Sequence, residues 1–136
     1  MKKLIQIFSI ILMLCGTITV SAITLQEEKI PQEIVTGFNT GDAKMLSSYF
    51  NQNVEMVVLE NDNVYSKAQA QQIVANFFSK FPPKENSFST LHDGEKADSR
   101  YVIGKLKTEK GEFRVYFLLK KSGEKDYIHQ LRIEQQ

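Results

Sequence analysis

Six apolar side chains between residues 70 and 81 constrain this chain more than any other feature. Ala70, Ile73, Val74, Phe77, Phe78 and Phe81 recur at i, i+3, i+4, i+7, i+8 and i+11, which is one continuous face of a helix. Ser66-Lys67-Ala68-Gln69 supplies a capping box at its start, and Pro82-Pro83 stops it. A stripe with three phenylalanines must be removed from water by a broad apolar partner. The fold of the chain is therefore largely the question of what this helix covers.

The rest of the chain supplies the partner. After residue 86 the apolar period changes from helical to alternating. Ser87 to His92 reads as a weak strand with Asp93-Gly94 as its turn, and 101–108, 112–121 and 127–134 read as stronger strands. The connections at 108–111 and 122–126 are short enough for antiparallel hairpins. Upstream, a first helix begins near Pro31 and carries Ile34, Val35 and Phe38, and Asn39-Thr40-Gly41 ends it. Asp42 caps a second helix with Met45, Leu46, Tyr49 and Phe50 as its buried face. Val54 to Leu59 is a first strand, followed by a polar turn at residues 60–63. Helices segregated to one side of an antiparallel sheet make an α+β domain.

Residues 1–22 read as a signal peptide. Lys2 and Lys3 precede an apolar run from Leu4 to Cys15, and Val20-Ser21-Ala22 offers small residues for cleavage after Ala22. An uncleaved anchor over Leu4 to Leu25 competes with this reading. A lipoprotein signal at Cys15 fits less well, because the large Leu14 precedes it. Cleavage leaves 136 − 22 = 114 residues: a flexible leader at 23–29 and a single domain at 30–136, exported to the periplasm or beyond. It also removes the only cysteine, and with it any disulfide, thiol nucleophile or thiolate metal site in the mature chain. The mature charge is 17 − 2 = 15 basic against 16 acidic residues, or −1. That balance argues against nucleic acid as a partner, and no membrane contact is expected after cleavage.

"IVTGFNTGDAKMLSSYFNQNVEMVV" (residues 34–58) resembles the opening of the nuclear transport factor 2-like (cystatin-like, SnoaL-like) superfamily, where two helices joined through a Gly-Asp step lead into the first strand. "YSKAQAQQIVANFF" (residues 65–78) is similar to its third helix. More narrowly, the chain looks like a small secreted bacterial family of unknown function with this fold. The resemblance implies a cone: three N-terminal helices packed on a strongly curved antiparallel sheet. It says little about function, since the superfamily holds isomerases, dehydratases, cyclases, ligand binders and dimerisation modules.

The isomerase branch implies a catalytic aspartate near the end of the first long strand. That region here reads Val57-Val58-Leu59, with Glu60 in the turn, and an apolar side chain takes up no proton. His129 and Tyr127 remain as catalytic candidates if their side of "DYIHQLRI" lines the hollow. The competing reading is a hydrogen-bonded sheet histidine, and His92 reads as a turn residue. Phe77, Phe81, Tyr116, His129 and Arg114 are the candidate ligand-binding residues. Arg114, Tyr116, Lys105 and Arg132 form a polar stripe able to hold a carboxylate or sulfate, against the plainer reading of a solvated row of cross-strand pairs. No cofactor fingerprint or metal-ligand spacing occurs. The expected function is thus a non-catalytic module that binds a small apolar ligand or a protein, as a homodimer through the open sheet face. The alternative is an isomerase or dehydratase using His129 and Tyr127.

Overall fold

The computed structural model describes residues 30–136. The expected signal peptide and leader lie outside the described residues. Three helices and six strands follow in the order α1 (Gln32–Thr40), α2 (Ala43–Ser47), β1 (Phe50–Val58), β2 (Asn61–Ser66), α3 (Lys67–Lys80), β3 (Ser89–Lys96), β4 (Ser99–Thr108), β5 (Gly111–Ser122) and β6 (Lys125–Gln135). Among the described residues only two helices precede the strands. The third follows the β1–β2 hairpin, so the expected trio of N-terminal helices is divided by two strands, and the sheet lacks the strong curl that a cone implies. No helix among the described residues is long and apolar enough to cross a membrane.

One six-stranded sheet runs β2-β1-β6-β5-β4-β3. All neighbours are antiparallel except β1 and β6, the second and third strands from one edge, which run parallel. The helices cover one face. Phe50, Val54, Met56 and Val58 of β1 point inward with Val102, Leu106, Phe113, Val115, Phe117, Leu119, Ile128, Leu131 and Ile133. The phenylalanine stripe of α3 meets them: Phe77 lies edge-on to Phe113 at 5.0 Å, and Phe81 packs against both rings. Phe38 of α1 packs between Phe88 at 4.8 Å and Phe117 at 6.0 Å. Aromatic pairs of this kind add about 0.5–1.5 kcal/mol each beyond their area.

The Gly-Asp step between the first two helices has a specific job. Gly41 takes a left-handed conformation, φ 65°, and its N–H and that of Asp42 both reach back to the Gly37 carbonyl. Asp42 then caps α2, accepting from the Met45 N–H at 2.9 Å. The turn brings α2 across α1 so closely that a Cβ on Gly37 would lie 2.7 Å from Leu46. The α2 face that is buried is Ala43, Leu46 and Ser47, rather than Met45. The α3 capping box is present in both directions through Ser66 and Gln69.

Two expected turns are strand. Residues 61–63 belong to β2, and the hairpin bends at Leu59-Glu60, where Leu59 takes φ 55°. Asp93-Gly94 lies inside β3, and the chain turns at Ala97-Asp98 instead. Gly94 faces Tyr101 across the strands, and a Cβ there would stand 2.6 Å from the tyrosine ring. The glycine makes room for a ring rather than for a bend.

Candidate functional site

The strand register sorts the side chains of the uncovered sheet face into rows. One row crosses the sheet as His92, Ile103, Tyr116, Arg132 and Val57. Beside it run Tyr101, Leu118, Gln130 and Glu55 on one flank and Lys105, Arg114 and Glu134 on the other. Residues of these rows line an open groove of about 370 Å³ that includes Ile103, Arg114, Tyr116 and Arg132. Its apolar floor comes from strands that alternate in the ordinary way. Its charge comes from the positions that alternation turns away from the helices.

The charged groups around the groove are not equally engaged. Lys105 and Glu112 form an ion pair of 2.6 Å, which lowers the Glu112 pKa below the usual carboxylate value. The Gln130 amide donates to Glu55 at 2.9 Å. The guanidinium groups of Arg114 and Arg132, by contrast, have no ion-pair or hydrogen-bond partner among the described residues. Arg114 stands directly across from Glu134, yet their charged atoms are more than the 4.0 Å of an ion pair apart. Of the polar stripe expected from sequence, Arg114, Tyr116, Lys105 and Arg132 therefore do share one face.

His129 does not line the helix-covered side. The β5–β6 register slips between Leu118 and Leu119, which pair with Gln130 and Ile128 and leave His129 as an extra residue. The β1–β6 register breaks at the same level, between Phe50 and Glu55. Ile128 and Leu131 are both buried on either side of the slip, so the parity that would place His129 and Tyr127 with Leu131 and Ile133 fails there. His129 stands half-buried on the open side near Lys120. Desolvation first, and the Lys120 charge second, lower its pKa below 6.5. It has no carboxylate partner among the described residues.

Tyr127 belongs to a different cluster. Lys125 donates to the Ser48 carbonyl at 3.0 Å and lies 4.6 Å from the Tyr49 ring and 5.5 Å from the Tyr127 ring. Tyr49 donates its hydroxyl to Glu33 at 3.0 Å; burial raises the phenol pKa, while a backbone hydrogen bond first and the Tyr49 bond second lower that of Glu33. These contacts tie α1 and the start of β1 to the last hairpin.

The five expected ligand-binding residues divide across the sheet. Phe77 is 1% exposed inside the core and Phe81 packs against it, whereas Arg114 and Tyr116 line the groove of the opposite face and His129 is not among that groove's lining residues. One pocket cannot contain both sets, because the sheet itself separates them. His92 is a strand residue whose Nε2 lies 3.0 Å from the Tyr101 hydroxyl. Among the described residues no group of three His, Cys, Asp or Glu side chains is placed to hold a metal ion. Ile103, Gln130, Glu134 and Glu55 are not singled out by sequence. The hairpin register is the signal that could find the first three, since it fixes which residues share a row.

With three helices on one side of a six-stranded sheet, the chain is an α+β domain of the nuclear transport factor 2-like, cystatin-like kind. A structure described as a domain of unknown function with a cystatin-like fold, from Nostoc punctiforme, superposes with a TM-score of 0.60 at 8% identity, covering 77% of this chain and 72% of the other, a likeness of fold alone. Residues 31–134 match the family model described as Domain of unknown function (DUF4783), and the chain belongs to that family. A DUF4783 family protein from Bacteroides ovatus is 33% identical, with a TM-score of 0.74 over 81% of this chain and 98% of the other. One from Bacteroides uniformis is 30% identical, with a TM-score of 0.72 over 79% of this chain and 98% of the other. Among curated proteins no match is found.

Proposed function

We propose that this protein is an exported, non-catalytic binding module that works through the open face of its sheet. One observation carries the reading. That face holds a groove of about 370 Å³ containing two arginines whose guanidinium groups have no partner among the described residues, over a floor that includes Ile103 and Tyr116. A volume of this order suits a small molecule, and apolar surface beside unpaired charge is the pattern of a surface awaiting a partner. The hollow that the resemblance implies is, on this reading, filled by phenylalanines rather than kept open for an apolar ligand. His129, without an acid partner, supports binding over turnover.

A second copy of the chain is the competing occupant. Strands about 4.8 Å apart and about 3.3 Å per residue give the open face an area on the order of 800 Å², which is what a standard interface needs from each partner. Native mass spectrometry of the protein recovered from the export compartment, with amide-resolved NMR of the same sample, separates the two. A monomer with added small molecules shifting amides of β4, β5 and β6 is the expected result. A ligand-free dimer would assign the face to the second copy. Binding confined to the helix side would overturn the proposal.

A further inference from the structure

We propose that the groove recognises a small carboxylic acid, with its carboxylate held between Arg114 and Arg132 and its apolar body resting on Ile103 and Tyr116. The inference builds on the reading of the open face as the binding surface and names what that surface takes.

The register fixes the geometry. Arg114 pairs with Glu134, and Tyr116 pairs with Arg132. These four residues form a square on two adjacent strands, with the arginines at the ends of one diagonal. Diagonal neighbours on a sheet are about 7–8 Å apart at the backbone, well within the reach of two long side chains that converge on one anion. A guanidinium presents a planar fork of donors that matches a carboxylate, and the pair offers two such forks. Neither guanidinium is engaged by another of the described residues. Nearby Lys105 is different: Glu112 already engages it.

The apolar part follows from the same rows. Ile103 lies directly across from Tyr116 on the side away from Arg132. A ligand with its acid group at the arginines therefore extends its body over an isoleucine and a phenol ring. Glu134 occupies the other diagonal and opposes an anion. It sets a limit on affinity and supplies a test, because removing its charge must strengthen binding if the ligand is anionic. Glu55 opposes less, since Gln130 holds it at the far flank.

The test is an amide-resolved NMR titration of the protein recovered from the export compartment, with acetate, hexanoate and benzoate beside acetamide, hexanamide and benzamide. The acids should shift Tyr116 and Arg132 amides and the amides should not. Hexanoate and benzoate should bind more tightly than acetate. Arg114→Gln and Arg132→Gln should each weaken binding about tenfold, the loss expected of a charge-assisted bond. Glu134→Gln should tighten it several-fold. Acid and amide binding alike at this face would leave the open-face reading standing and overturn the choice of a carboxylate. Weaker binding in Glu134→Gln would overturn that choice as well. If no acid of the panel moves the face while the protein is a dimer, the groove belongs to the second copy and the carboxylate proposal falls.

Discussion

The two faces of this sheet are built from the same strands in alternation, yet they are under different physical control. On the helix side, Phe38, Phe77, Phe113 and Phe117 are at most 1% exposed, with Phe38 stacked on Phe117 and Phe77 edge-on to Phe113. On the open side, Tyr116, Leu118 and Ile103 are only half-buried, and two arginines lie among them with no ion pair among the described residues. The first face cannot lose an atom without leaving a void. The second can exchange side chains cheaply, and that tolerance is what a binding surface requires.

Substitutions can break or sharpen the contrast, beginning with the largest effect. Phe77→Ala should destabilise the fold by about 3–5 kcal/mol through lost burial and the cavity left behind, read from a shift in urea midpoint at unchanged slope. Tyr116→Ala, at the other face, should cost about 1 kcal/mol or less. Equal losses at the two would erase the distinction.

Glycines give a finer comparison. At Gly104 an added methyl would meet the Phe88 ring at 2.6 Å and the Ser89 carbonyl at 3.0 Å. Phe88 is held against Phe38 and cannot step aside, so Gly104→Ala should cost about 1–3 kcal/mol. At Gly94 the same 2.6 Å clash involves only the outer end of Tyr101. That ring can swing into solvent, and Gly94→Ala should change stability by no more than about 0.5 kcal/mol. Thermal unfolding of both variants checks the order. Arg132→Gln should likewise stay within about 0.5 kcal/mol of the parent; a larger loss would make the arginine a structural group.

The smallest effect concerns pH. Burial depresses the His129 pKa below 6.5 in the folded chain, so the unfolded chain takes up that proton more readily. Its contribution is present above about pH 6.5 and is lost as pH falls below it. His129→Gln should flatten that part of the stability curve. An unchanged slope in the variant would place the imidazole in full contact with water.

How much is legible in the sequence follows from which signals are local. The α3 stripe, its capping box and the Gly41-Asp42 step are readable because each depends on residues within a turn or two of one another. Family membership is readable from the same stretches. β2 escapes because "NDN" carries turn-forming side chains, while its strand conformation comes from pairing with β1. Gly94 misleads for a related reason: its neighbour Tyr101 is seven residues away and reaches it only across a hairpin. His129 is the sharpest case. Strict alternation along "DYIHQLRI" puts it inside, but the register breaks against two flanking strands put it outside. A slip between strands leaves no mark in the strand that bears it, so the candidate site can be read residue by residue but not as a place.

The parallel seam between β1 and β6 carries a consequence for how the molecule comes into being. The first strand waits, with only its short hairpin partner β2 beside it, until the final strand of the domain slides in between it and β5. Until then the hairpins of the later half and the helical first half share no ladder beyond the short bridge between Pro83 and Thr108. Closing so distant a contact makes assembly slow relative to a local bundle and makes it all-or-none. Clipping the chain before Lys125 should therefore leave two sheet fragments joined by little more than that bridge, rather than a smaller version of the same protein.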